Sequence, residues 1–180
     1  INNLRGLPVQ GASSITQQLV RNVVMTPEER FTISYARKIK EAILAYELSR
    51  RYPGLEGKDQ ILEWYLNTVH YGRLAYGVQA AAETYFEKNV EGLTLAECAM
   101  LAPIPQYPLL NPIDDFEAAK KRQELYLTQM HLQGYITAEE AKAAKNEEIK
   151  VVPQRFDIEA PHFVMYVREL LVEKYGAETV

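Results

Sequence analysis

The chain has 180 residues, 47% hydrophobic and 24% charged, which fits one globular domain with a real core and is too apolar for a disordered segment. Its net charge of −4 conceals a division: residues 1–53 carry 8 Lys/Arg against 4 Asp/Glu, and the remainder 12 against 20. A basic first third on an acidic body points to a local anionic ligand and away from a nucleic-acid footprint spread over a whole face.

The single cysteine, Cys98, excludes an internal disulfide and a multi-cysteine metal site. Within LAECAMLA it reads as a small buried thiol. No apolar run approaches the roughly 18 residues that cross a bilayer, and no signal peptide opens the sequence. Ile1 is not an initiator methionine, so a longer parent chain is expected.

Residues 1–10 hold Gly6 and Pro8, show no steady period, and read as loop. Ser13 or Ser14 is placed to cap a helix running to about Met25. Thr26-Pro27-Glu28-Glu29 is a second helix start, and helical spacing continues to Arg51. Ile39, Ile43 and Tyr46, joined by Ala42 and Leu48, form its apolar side, and Pro53 to Gly57 ends it. A helix over Lys58 to Val69 follows, with Ile61, Leu62, Tyr65, Leu66 and Val69 at helical spacing. His70 to Gly77 reads as a folded loop, and Gly77 to Lys88 as an alanine-rich helix open to close packing.

Thr94 and Glu97 make a capping box for the next helix, after which Pro103, Pro105, Pro108 and Pro112 enforce an irregular crossing. Asp114-Asp115 caps a helix ending at Gly134, Thr137 with Glu140 caps a short one, and Pro161 starts an amphipathic one with Val164, Val167 and Leu171 on one face. Val151 to Glu159 reads as a short linker or strand. The expectation is an all-α fold, with residues 1–150 as one domain and 151–180 as a linker and helix.

The chemistry concentrates between Gly11 and Glu41. Ser13, Ser14, Thr16, Gln17, Gln18 and Asn22 bring neutral hydrogen-bonding groups, which suit sugars. Arg21, Arg30, Arg37, Lys38 and Lys40 bring cations, which suit phosphates, and Glu41 closes the stretch. One segment carrying both suggests a sugar that leaves on a phosphate. The residue-level alternative is plainer: capping and buried hydrogen bonds for the hydroxyls and amides, a solvated helix face for the cations, and intrahelical pairing of Arg37 and Lys38 with Glu41.

GASSITQQLVRN resembles the GxSTITQQLxKN motif of the peptidoglycan glycosyltransferases, the polymerising module of class A penicillin-binding proteins. Arg37-Lys38-Ile39-Lys40-Glu41 is similar to that family's RKxxE motif. ILEWYLNTVHYGRLAYGVQAAAETYFEK resembles its ILExYLN block, and LTLAECAMLAPIPQYPLLNP its closing block. Ser14 stands where the family usually has threonine, and Arg21 where it has lysine, which keeps the charge and changes the donor geometry.

The resemblance implies a lysozyme-like helical domain that polymerises lipid II into glycan strands with inversion and release of polyprenyl pyrophosphate. It implies Glu41 as a catalytic acid that assists the leaving group or organises its cations. Ser13, Thr16, Gln17, Gln18, Arg21, Asn22, Arg30, Arg37, Lys38, Lys40 and Asn67 would bind substrate. No cofactor is required, though a divalent cation such as magnesium could sit at the pyrophosphate. His70, His131 and His162 lack ligand spacing, so no metal site is expected.

The family's general base belongs to an ExxFxxHxG-type motif upstream of the TITQQ block, and no acid precedes Glu28 here. The resemblance therefore implies a fragment unable to polymerise glycan alone. It also implies a covalently linked transpeptidase domain beyond Val180, no nucleic-acid partner, and a place on the extracytoplasmic face of the bacterial cytoplasmic membrane. Val23, Val24, Met25 and Phe31 would aid contact with the membrane surface. The rival readings are a lysozyme-like hydrolase, which has no use for the cations, and a non-catalytic helical module that grips cell-wall lipid.

Overall fold

The computed structural model describes residues 13–152 and 161–176; the loop expected over residues 1–10 and most of the linker expected after Val151 lie outside them. The described residues form nine α-helices and no strand beyond one antiparallel bridge between His70 and Tyr76. The all-α expectation holds.

The helix starts follow local side-chain chemistry. Ser14 caps α1 (Ile15–Val23) and Thr26 caps α2 (Pro27–Phe31), each in a reciprocal box with the glutamine or glutamate three residues on. The same device starts α6 (Leu95–Leu101) at Thr94 and α8 (Ala138–Asn146) at Thr137. Asp115 caps α7 (Phe116–Leu132), while its neighbour Asp114 turns instead to Arg73 and Asn111. Between these lie α3 (Tyr35–Arg51), α4 (Gly54–Thr68) and α5 (Val78–Phe86), and α9 (Pro161–Tyr175) comes last.

Helix α1 packs on α3 and α4, while α6, α7 and α8 form a second group joined to the first through α5. The core runs between them through Leu19, Ile61, Tyr71, Tyr85, Met100, Ile104 and Leu127. Full burial of a side chain of this size is worth about 1.5–3 kcal/mol. Ala81, Ala82, Ala96 and Ala99 allow the close approach expected of the alanine-rich stretches. Gln123, fully buried on α7, donates to the Ala96 carbonyl at 2.9 Å and so ties α7 to α6.

Four expectations are corrected. The single helix from Pro27 to Arg51 is two helices, because Ser34 caps a new start through the Arg37 amide and the Thr32 hydroxyl donates to the Glu28 carbonyl. The apolar side read on α3 faces outward: Ile39, Ile43 and Tyr46 are exposed, whereas Glu41 and Ala45 are buried. Helix α4 begins at Gly54, inside the expected terminator. A Cβ at Gly57 would lie 2.0 Å from the Tyr52 carbonyl oxygen, so only glycine lets α4 start tucked against the end of α3. Cys98 is exposed, because it lies on the outer side of α6 while Ala96, Ala99 and Met100 fill the inner side.

Candidate active site

Glu41 anchors the first group of site residues. Its position on α3 turns it inward beneath α1, and it is fully buried. Lys38, three residues earlier, and Arg37, four earlier, both reach it, since those spacings share a helix face. Arg37 Nη1 donates to Glu41 Oε1, and Lys38 Nζ donates to Glu41 Oε2 at 2.8 Å. Arg37 Nε also donates to the Thr32 carbonyl at 2.6 Å, so the break between α2 and α3 supplies an acceptor that fixes the guanidinium. Lys38 Nζ donates in addition to Ser13 Oγ at 2.8 Å, which connects the cluster to the start of α1.

Two cations to one carboxylate leave this cluster with one net positive charge. Both oxygens of Glu41 are engaged by side chains, and neither is positioned to take a proton from a bound hydroxyl. What Glu41 can do is hold Arg37 and Lys38 in fixed places. Lys38 is the more open of the two, with 46% of its side chain exposed against 14% for Arg37.

Ser13 also lines a polar groove of about 680 Å³ with Gln18, Arg21, Tyr65, Tyr71, Gln106 and Tyr126. Gln18 is held at both ends: its amide donates to the Ser13 carbonyl at 3.4 Å and its oxygen accepts from Tyr65 Oη at 3.2 Å. Burial pushes the Tyr65 phenol up, with Arg21 opposing and Tyr126 adding to the shift. The Tyr71 phenol is pushed up by burial and by Tyr65. These phenols stay protonated at neutral pH.

The expected residues therefore divide. Ser13, Arg37, Lys38 and Glu41 touch one another, and Gln18 and Arg21 share the groove that Ser13 lines. Gln17 closes the cap of α1 with its side-chain oxygen. Thr16 lines a different depression, with Ser49 and Tyr52. Arg30 donates to the Met25 carbonyl, and Lys40 pairs with Glu29. Asn22 is half-buried, and Asn67 is exposed near the end of α4, where its carbonyl abuts Gly77.

In the sequence Tyr65 is one position of a helical apolar period, and Gln106 and Tyr126 carry no signal; their convergence with Gln18 and Arg21 on one groove depends on elements far apart in the chain. Val23 and Val24 are exposed as a surface-contact reading requires, whereas Met25 is buried; the Phe31 side chain lies outside the described residues. Among the described residues no group of three His, Cys, Asp or Glu is placed to hold a metal ion.

A family model described as Transglycosylase matches residues 1–131. The chain belongs to the transglycosylase family. Penicillin-binding protein 1A of Rickettsia bellii (strain RML369-C) is 41% identical over 180 residues, covering 98% of this chain and 22% of the relative. Penicillin-binding protein 1A of Neisseria flavescens is 42% identical over 180 residues, with the same 98% and 22%. The 2.6 Å crystal structure of penicillin-binding protein 1A from Haemophilus influenzae superposes with a TM-score of 0.58 at 33% identity, over 74% of this chain and 21% of that one. The chain thus spans about a fifth of the length of these relatives, 22% in the curated ones. Its fold is that of a transglycosylase.

Proposed function

We propose that this transglycosylase chain acts in peptidoglycan synthesis, joining lipid-linked disaccharides (lipid II) into glycan with release of polyprenyl pyrophosphate. The observation that carries the reading is the cluster in which buried Glu41 fixes Arg37 and Lys38, with Lys38 bonded to Ser13 at the edge of the polar groove. A departing diphosphate gains negative charge as the glycosidic bond breaks. Cations held in place before the reaction stabilise that charge without reorganising, and one such donor is worth about 10²–10³ in rate.

In this reading Lys38 and Arg21 meet the diphosphate, Arg37 sets the field behind them, and Glu41 is a positioning residue. Ser13 and Gln18 present neutral groups to the sugar. The described lining of the groove contains no carboxylate, so proton removal from the attacking hydroxyl is assigned to none of these residues. In the same proposal the protein works at the extracytoplasmic membrane face, with exposed Val23 and Val24 beside the lipid, and carries a linked transpeptidase unit.

The test is to supply the complete protein with radiolabelled lipid II and follow both polymer and polyprenyl pyrophosphate. Appearance of both, abolished by Lys38→Ala, is the expected result. Cleavage of pre-formed glycan strands without use of lipid II would overturn it in favour of a hydrolase.

A further inference from the structure

A helix that starts with cations works against its own dipole, whose positive end lies at the first turn. Helix α3 does so: its first turn has no acid, and Arg37, Lys38 and Lys40 follow its cap in quick succession. The boxed helix starts are built differently. In α1, α2, α6 and α8 the residue three places after the cap is Gln17, Glu29, Glu97 or Glu140, and its side chain returns to the cap amide. In α3 that place belongs to Arg37, whose side chain has nothing to accept with.

The guanidinium is used in two other directions: Nε donates back to the Thr32 carbonyl at 2.6 Å, and Nη1 donates forward to Glu41. The Arg37 backbone is held by Ser34, whose Oγ accepts from the Arg37 N–H at 3.1 Å. The end of α2 beside it is tied as well, because the Thr32 hydroxyl donates to the Glu28 carbonyl at 2.8 Å. Thr32 and Ser34 are both extended, with Ile33 between them. One short bridge therefore grips the same arginine by its main chain and its side chain. Without the Ser34 hydroxyl, the first turn of α3 loses a bond that offsets its unfavourable charge. The turn that loosens is the one that carries Arg37.

We propose that Ser34 is a positioning residue for the transfer reaction and acts through Arg37: its hydroxyl keeps the guanidinium in register with Thr32 and Glu41 while the leaving diphosphate gains charge. The inference rests on the transferase reading of the cation cluster. On that reading a misplaced arginine weakens the chemical step, since a cation out of place stabilises the departing charge less.

The complete protein is assayed with lipid II as Ser34→Ala, Arg37→Ala and the double variant, beside Thr137→Ala, which removes the same kind of cap from α8. Ser34→Ala should lower kcat about 5-fold, the worth of one cap, at unchanged KM and helical content. Ser34→Thr and Ser34→Asn, which keep an acceptor, should restore kcat, and Thr137→Ala should leave turnover per folded molecule unchanged. Adding Ser34→Ala to Arg37→Ala should cost little more, because the effect runs through the arginine. A normal kcat in Ser34→Ala, a loss that neither Thr nor Asn repairs, a full extra loss in the double variant, or an equal loss in Thr137→Ala would overturn the inference. In each of these cases a loss in Arg37→Ala keeps the transferase reading. Normal turnover in Arg37→Ala would remove both.

Discussion

Glu41 and Glu97 are both buried glutamates that accept from a lysine ammonium, yet they lead to different places. Glu97 gives one oxygen to the Thr94 amide at 2.9 Å, closing the cap of α6, and the other to Lys88 at 2.7 Å. Its charge is used inside the fold. Glu41 gives both oxygens to side chains, Arg37 and Lys38, and Lys38 continues to Ser13 at the groove. A buried carboxylate that ends on a backbone amide sets structure, whereas one that ends on cations at a groove sets the field a ligand meets.

The largest expected effect that would sharpen this contrast is Arg37→Ala. Turnover of lipid II should fall about 10²–10³-fold, with helical content retained, because one preorganised cation is lost. Near-normal turnover would place Arg37 with the structural ion pairs.

Glu97→Gln should do the reverse. It keeps an acceptor for the Thr94 amide but loses the charge facing Lys88, whose side chain is 41% exposed, so stability should fall by about 1 kcal/mol in urea titration. Turnover per folded molecule should not change. A loss of turnover there would erase the distinction between the two glutamates.

Tyr71, which lines the groove, and Tyr85, whose hydroxyl donates to the Tyr71 carbonyl, give a pH test. Burial raises Tyr71 and Tyr85 above their ordinary value of 10.0. The unfolded chain therefore releases these protons first as pH rises, and their contribution is complete below about pH 10 and lost above it. The thermal midpoint should fall above about pH 10, and less so in Tyr71→Phe. A profile unchanged by that substitution would mean that the phenol is solvated.

Lys40→Ala should do least. Lys40 is half-exposed and pairs with Glu29, so stability should shift by less than about 0.5 kcal/mol and turnover by less than about twofold. A large loss would return Lys40 to the site and widen the cation cluster.

The sequence was most legible where the determining contacts are local. The caps at Ser14, Thr94 and Thr137 are written in four-residue windows, and the structure holds each one. The pairing of Arg37 and Lys38 with Glu41 was legible for the same reason. The outward side of α3 was not. Ile39, Ile43 and Tyr46 have the period of a buried face, but periodicity finds an apolar stripe and cannot say whether another element covers it. The break before Tyr35 was hidden because Ser34 caps α3 without a following Glu or Gln at the box position. The groove was least legible, since Gln18, Tyr65 and Tyr126 meet only through the packing of α1, α4 and α7.

The most direct measurement is lipid II turnover by Glu41→Gln beside Glu97→Gln in the complete protein, with folding checked by circular dichroism. Turnover should fall about 10²-fold or more in Glu41→Gln alone, since only that carboxylate holds the cations in place. Equal turnover in the two folded variants would contradict the claim that Glu41 organises a diphosphate site.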